Sequence, residues 1–386
     1  MTQENYLVLW IFFSGLMLSL VVALILTHVV KELAHRYNLT DDPDGSRKIH
    51  KKPMPNIGGV AIVGVFFIGI GYFALLNYMF NLPGEGIIQL PSAYIMAGGL
   101  VMAATGLYDD IYDLGFKKKF MLQIAVSLLV IGGGYQIEAL QNPFTGAMFD
   151  IGFLGVPLTV LVIVGIINAV NLLDGMDGLA AGVTLIAFVS LSAAYGIGGQ
   201  YEHLVLVVVI SGALLAFLRY NFNPASIFMG DTGSLFIGFL LATYALGGMN
   251  NADSMLAFLI PIVCMGLPIL DTGLAITRRY LESKPLFSAD CDHIHHRIAR
   301  RFGFTHRRTV LTLYLASIFL GMMAFLMAMG EDVLTTLILC LTALVSYYFL
   351  RVLDYLPLKK AAKLAKPKFR ASMKIRRAEA SQKGKG

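Results

Sequence analysis

Long apolar runs dominate this chain, and charged residues separate the runs instead of alternating within them. Eleven stretches free of Asp, Glu, Lys and Arg approach or exceed the roughly 20 residues that span a bilayer core. They fall at 5–30, 53–84, 86–108, 120–137, 151–173, 178–201, 203–218, 232–252, 254–270, 309–330 and 333–350. The ninth reaches Thr277 once a single acid, Asp271, is tolerated inside it. The first run, Tyr6 to Val30, has no basic n-region and no small-residue cleavage site, so it reads as a span and not as a removed signal. The pattern predicts an all-α polytopic membrane protein of about eleven transmembrane helices.

Charge then orients the pattern. Threaded alternately through a membrane, the stretches leave two sets of connections. One set, comprising 31–52, 117–119, Arg219, 278–308 and 351–385, holds all 30 Lys and Arg. The opposite set carries only Glu4, Glu85, Glu138, Asp150, Glu202, Asp253, Glu331 and Asp332. The positive-inside rule therefore places the N-terminus outside and the C-terminus in the cytoplasm. Residues 1–355 read as a single transmembrane catalytic domain and 356–386 as a basic cytoplasmic tail. Residues 138–152, with Asn142-Pro143 and Gly146, read as a short external hairpin or loop.

Composition agrees: 57% of residues are hydrophobic and 14% charged, against about 25% charged in soluble domains, and the mean hydropathy is +0.71. The net charge of +6 follows from topology and calls for no nucleic acid. The tail from Lys359 suits anionic lipid headgroups better than a nucleic-acid arm. Cys264, Cys291 and Cys340 are too scattered for a disulfide framework or a metal knuckle.

Four polar groups lie on the basic side. Asp109-Asp110 ends the third stretch, and adjacent carboxylates at a membrane surface call for a cation or raised pKa values; a solvated loop is the plainer alternative. Asn168-Ala-Val-Asn171-Leu-Leu-Asp174-Gly-Met-Asp177-Gly178 joins the fifth and sixth stretches without a single Lys or Arg. Its glycines permit tight turns and close approach of a ligand, while an N-cap role for Asp177 would explain one acid only. Asn221 to Ser234 contains Phe228-Met-Gly-Asp231-Thr-Gly, in which Asp231 either caps the next helix or, with Asn171, supplies oxygens to a hard cation such as Mg²⁺. Last comes His293-Ile-His295-His296-Arg297 followed by Arg300 and Arg301, suited to phosphate or sugar oxygens. Three imidazoles beside Cys291 would also suit Zn²⁺, although the spacing matches no standard zinc motif. Asp271, about two turns inside the membrane, is either functional or paired to a neighbouring helix.

NAVNLLDGMDGLAAG, NPASIFMGDTGSL and HIHHR, with the Asp109-Asp110 pair, resemble the polyprenyl-phosphate N-acetylhexosamine-1-phosphate transferases from about Lys48 to Arg301. The branch that uses UDP-MurNAc-pentapeptide carries three consecutive His followed by Phe-Glu, so His293-Ile-His295-His296-Arg297 is similar to the other branch. The resemblance implies transfer of N-acetylglucosamine 1-phosphate from UDP-GlcNAc to undecaprenyl phosphate, releasing UMP and starting O-antigen, common-antigen or related surface glycans. It implies Mg²⁺, with Mn²⁺ as a substitute, at Asp231 and Asn171. Asp109 or Asp110 would deprotonate or position the lipid phosphate. Asp174, Asp177, Asn221 and Phe228 would line the nucleotide pocket, with Phe228 offering a face to uracil. His293, His295, His296 and Arg297 would hold the diphosphate and sugar, and Lys51 or Lys52 would contact the nucleotide. By analogy the relatives also allow a homodimer. The competing reading is a secondary transporter of a phosphorylated or anionic solute, but transporters place charges near the midplane on broken helices.

Overall fold

In the computed structural model, the described residues are 3–41, 53–80, 89–141, 148–197, 204–250, 255–281, 292–330 and 332–355. Lys51, Lys52, Cys291 and the tail 356–386 lie outside them. The apolar stretches coil into helices. These are α1 (Gln3–Arg36), α2 (Gly59–Phe80), α3 (Ala93–Tyr112), α4 (Phe116–Gly132), α5 (Gly155–Leu173), α6 (Leu179–Ile197) and α7 (Leu204–Asn221). Then follow α8 (Gly230–Asn250), α9 (Met255–Cys264), α10 (Gly266–Leu281), α11 (Ile294–Phe302), α12 (His306–Met329) and α13 (Asp332–Val352). Among the described residues, seven helices are long and apolar enough to cross a membrane, drawn from α1, α2, α5, α6, α7, α12 and α13. The all-α polytopic expectation holds at that level.

The ninth apolar stretch departs from the single span expected of it. It is two helices, α9 and α10, meeting at Met265. Pro268 has no N–H to give the carbonyl of Cys264, and Pro261 removes a second donor within α9, so the ladder breaks where the two prolines bracket it. Two short antiparallel pairs complete the chain: β1 (Thr40–Asp41) with β2 (Met54–Pro55), and β3 (Ala139–Gln141) with β4 (Met148–Asp150). The second pair is the hairpin expected within 138–152.

Helix α8 is apolar around its whole circumference, and a helix of that kind belongs in a core. Leu235, Phe236, Ile237, Phe239, Leu240 and Leu241 are all buried, with α2, α3, α5 and α6 packed around them. Small residues set the spacing, as expected where helices associate by close van der Waals contact in lipid. A Cβ at Gly106 of α3 would fall 2.3 Å from the Asp231 carbonyl oxygen, and one at Gly98 would fall 2.6 Å from the Phe239 ring. In contrast, α1 and α13 turn apolar side chains such as Trp10, Ile25, Leu337 and Leu344 outward.

Because Gly106 abuts backbone, Gly106→Ala should lower the melting temperature of the detergent-purified protein, by an overpacking cost of roughly 1–3 kcal/mol. Gly165→Ala, whose Cβ would meet nothing within 4 Å, should melt like the parent. Equal melts for the two variants would show that the α3–α8 approach is slack.

Candidate active site

The site begins with a turn that only glycine can make. Gly230 adopts φ +70°, and a Cβ there would stand 2.1 Å from the Asn56 carbonyl oxygen and 2.7 Å from Asp110 Oδ2. The turn frees the first N–H groups of α8, and Asp110 at the end of α3 accepts them. Asp231 N–H donates to its Oδ1 at 2.8 Å, while Thr232 N–H and Oγ1 donate to Oδ2 at 3.0 and 2.6 Å. Asn56 Nδ2 adds a weaker contact at 3.4 Å. The residues around Asn56 are docked alongside by backbone bonds: Phe228 N–H to Pro55 O, Gly58 N–H to Phe228 O and Gly59 N–H to Met229 O, at 2.8, 3.0 and 2.8 Å. Asp110, expected beside the acceptor phosphate, is thus occupied as a helix cap supplied from another helix.

With that cap in place, the Asp231 side chain is free to point elsewhere. Its Oδ1 accepts Asn171 Nδ2 at 2.9 Å, and its Oδ2 accepts Lys119 Nζ at 2.9 Å. Lys119 also reaches Asp109 Oδ2 at 3.0 Å, and Asp109 Oδ1 takes the Leu114 N–H at 2.9 Å. Asp174 accepts the Gly230 N–H. The structure therefore joins Asp109 and Asp231 through the Lys119 ammonium, with Asn171 on Asp231 and Asp110 and Asp174 on the backbone N–H groups at the start of α8. Lys119 was not singled out in the sequence, yet a signal was there. It lies four residues before Gln123, the first member of the buried stripe Gln123, Val126, Ser127 and Val130 on α4, so helical periodicity aims it inward where Lys117 and Lys118 point away.

Two further predicted residues serve the walls. Asp177 does not cap α6; its Oδ2 accepts Asn223 Nδ2 and the Ala225 N–H at 2.8 and 3.1 Å. Asn221, 2% exposed, accepts from Gly178 N–H and donates to Ile227 O, both at 3.0 Å. Its amide ties the Asp174-Gly-Met-Asp177 connection to the segment carrying Phe228, which is half-buried.

The His/Arg segment packs against this connection, since a Cβ on Gly175 would lie 3.6 Å from the His295 ring. The imidazoles of His293 and His295 stack at 5.7 Å, and those of His295 and His296 approach to 4.2 Å. His295 is 2% exposed, and its Nδ1 is buried without a partner among the described residues, as is Arg297 Nε. Burial, and then neighbouring His296, drive His295 down to about 3, so it is neutral at physiological pH. Asp292 gathers Arg297 and Arg300 by hydrogen bonds, with Arg278 Nη1 at 3.5 Å. Burial works against its charge, but those guanidinium bonds hold its carboxyl below the usual range.

Asp174 behaves oppositely. Burial first, then the nearby Asp231 and Asp110 carboxylates, hold it well above the usual carboxylate range. Among the described residues, no group of three or more His, Cys, Asp or Glu closes on an ion by itself. The donor set nonetheless fits a hard divalent cation: carboxylate and amide oxygens with more negative charge than Lys119 offsets, as suits an ion that completes its shell with substrate phosphates and water.

The described residues define a helical membrane protein with a polar site that is carboxylate-rich on one wall and His/Arg-rich on the other. The family model described as Glycosyl transferase family 4 matches residues 92–249. A Bacillus subtilis (strain 168) protein named "Probable undecaprenyl-phosphate N-acetylglucosaminyl 1-phosphate transferase" is 39% identical over 297 residues, covering 77% of this chain and 79% of its own length. The decaprenyl-phosphate N-acetylglucosaminephosphotransferase of Mycolicibacterium smegmatis (strain ATCC 700084 / mc(2)155) is 35% identical over 321 residues, 77% of this chain and 76% of its own. The undecaprenyl-phosphate alpha-N-acetylglucosaminyl 1-phosphate transferase of Escherichia coli (strain K12) is 27% identical over 297 residues, 75% and 77% of the two chains. The chain belongs to glycosyl transferase family 4, among the polyprenyl-phosphate N-acetylhexosamine-1-phosphate transferases that its motifs resemble.

Two stability measurements follow from the site. Asp110→Asn should lower the melting temperature, because the caps of Asp231 and Thr232 lose their anion, a cost of about 1 kcal/mol; Asp109→Asn should lower it less. For Asp174, a raised carboxyl pKa means the folded state holds its proton longer than the unfolded chain, so stability falls as pH rises out of the ordinary carboxylate range. Asp174→Asn should therefore melt above the parent near neutral pH, with the gap closing toward about pH 4. A gap that widens on acidification would contradict the assigned environment.

Proposed function

We propose that this protein transfers N-acetylglucosamine 1-phosphate from UDP-GlcNAc to undecaprenyl phosphate, forming undecaprenyl-diphosphate-GlcNAc and UMP. The observation that carries the reading is the meeting of Asp109, Lys119, Asn171 and Asp231 at 2.9–3.0 Å contacts with the unpartnered Nδ1 of His295 and Nε of Arg297 across the Gly175 connection. An oxygen of the lipid phosphate attacks the phosphorus that bears the sugar. The bond from that phosphorus to the bridging oxygen breaks, and the electron pair leaves with UMP. Since a phosphate monoester is already ionised near neutral pH, Asp109 positions the acceptor through Lys119 and no strong base is required. Asp231 and Asn171 would hold Mg²⁺, with Mn²⁺ substituting, and the ion when bound offsets charge on the phosphoryl oxygens. His293, His295, His296 and Arg297 bind the diphosphate and the sugar, and Phe228 faces the base. Asp174 and Asp177 shape the nucleotide pocket, and Lys51 is its further contact.

The same reading assigns eleven spans, an outside N-terminus, and a site on the cytoplasmic face of the bacterial inner membrane, where both a soluble nucleotide sugar and a lipid phosphate are within reach. The basic tail lies on anionic lipid, a homodimer is the proposed assembly, and the product feeds O-antigen, common-antigen or related glycans. Transport of an anionic solute is less consistent with acids gathered at helix ends.

Purified protein in detergent with undecaprenyl phosphate, UDP-GlcNAc and Mg²⁺ should release UMP. Chelation should abolish release, and Mn²⁺ should restore it. Lys119→Met should cut kcat roughly 10²-fold, as for loss of one preorganised charge-stabilising group, and Asp231→Asn should do at least as much. No UMP from any UDP-N-acetylhexosamine would sink the assignment in favour of transport.

A further inference from the structure

One buried acid remains that the proposed transfer does not use. Asp271 of α10 is 2% exposed and accepts three hydrogen bonds. His293 Nδ1 stands 3.1 Å from Oδ2 and must carry its proton there, because an ionised carboxylate only accepts. Ile294 N–H donates to Oδ1 at 2.9 Å, and the Tyr355 hydroxyl donates to the same oxygen at 2.9 Å. Asp271 thus caps α11 at its first residue and fixes the ring that precedes it, so that His293 Nε2 is left as the free nitrogen of the imidazole.

Tyr355 is brought there by the end of α13. Asp354 adopts φ +50°. Tyr355 N–H returns to Leu350 O at 2.9 Å and Asp354 N–H to Arg351 O at 3.0 Å, the paired bonds of a Schellman turn. This turn reverses the chain and buries the tyrosine to 3% exposure. Its ring then carries two guanidinium groups, Arg297 at 4.5 Å and Arg278 at 5.5 Å from the centroid, within cation–π range. Arg297 also donates through Nη1 to the Asp354 carbonyl.

We propose that Tyr355 is a positioning residue for the donor-binding wall: its hydroxyl, through Asp271, orients His293, and its ring face orients Arg297 toward the diphosphate and sugar of the nucleotide substrate. The two halves of the side chain do separable work. The hydroxyl acts on the imidazole through Asp271 and also meets Arg278, the ring face acts on Arg297, and neither reaches Asp109, Lys119 or Asp231 among the contacts described. Loss of either should weaken the donor and spare the lipid acceptor. This rests on the proposed donor and acceptor.

The test is steady-state UMP release with both substrates varied, using Tyr355→Phe, which keeps the ring, and Tyr355→Leu, which removes it. Tyr355→Phe should raise the KM for UDP-GlcNAc roughly 3- to 10-fold, the value of one hydrogen bond, with the KM for undecaprenyl phosphate unchanged. Tyr355→Leu should raise the donor KM further, and Phe in place of Leu should recover part of it. A merely structural tyrosine would lower kcat through a smaller active fraction and leave both KM values alone, and that result overturns the proposal. So does an equal rise in both KM values. If Tyr355→Leu does not purify, the donor KM of Tyr355→Phe decides alone. Wild-type protein that releases no UMP would instead overturn the transfer reading itself, before any variant is compared.

Discussion

The carboxylate of Asp110 on the first N–H groups of α8 is the contact on which the site depends. A helix N-terminus carries unsatisfied donors and the positive end of the helix dipole. In a buried setting those donors require an acceptor, and a neighbouring anion is the strongest available. Here the acceptor comes from the end of α3, which the close approach at Gly106 brings alongside. Had Asp231 capped its own helix, its oxygens would be turned inward to Thr232 and the following turn. Because Asp110 does that work, Asp231 projects to Lys119 and Asn171 and ties α8 to α4 and α5.

The device recurs at the opposite wall. Asp271 of α10 caps α11 as Asp110 caps α8, and in both cases the acid lies far along the chain from the end it serves. Each cap fixes the residue next to it, Asp231 in one case and His293 in the other. The two walls also manage charge in opposite ways. Asp292 spreads its charge over Arg278, Arg297 and Arg300, so the basic wall is partly neutralised internally. The acidic wall has Lys119 and keeps a surplus of negative charge, and burial first, then the Asp231 and Asp110 carboxylates, push the Asp174 carboxyl well above the usual range.

Much of this was legible in the sequence, and the limits have physical reasons. Apolar stretches located the helices because burial in lipid imposes composition over a whole segment. The exception is the ninth, where Pro261 and Pro268 read as apolar residues but act as missing donors. Asn171, Asp174, Asp231 and the His293–Arg297 segment announced themselves because an uncompensated acid or a His/Arg cluster is costly at a membrane surface without a purpose. Partners were not legible. Whether Asp110 or Asp231 caps α8 depends on a contact 121 residues apart, and the link from Asp271 to Tyr355 spans 84. Asn221 and Asp177 read as pocket groups, but the partners that tie them to the Asn223–Phe228 segment were not legible, because amides and carboxylates are ambiguous in sequence. Lys119 was hidden among three lysines until the register of α4 distinguished it.

The proposed reaction brings two anions into a site whose acidic wall would repel both, and that conflict explains the arrangement. At a separation of about 4 Å, like charges repel by several kcal/mol where water is partly excluded, so on the proposed reading the carboxylates near the acceptor phosphate need compensation before any step can occur. Lys119 supplies one charge at the point where Asp109 and Asp231 converge. On the proposed reading a divalent cation supplies two more, and the His/Arg wall meets the diphosphate from the other side. On that reading the negative surplus has a use: it would make occupancy by acceptor phosphate alone unfavourable, so that the lipid substrate would bind well only once the cation and the nucleotide diphosphate have offset the carboxylates.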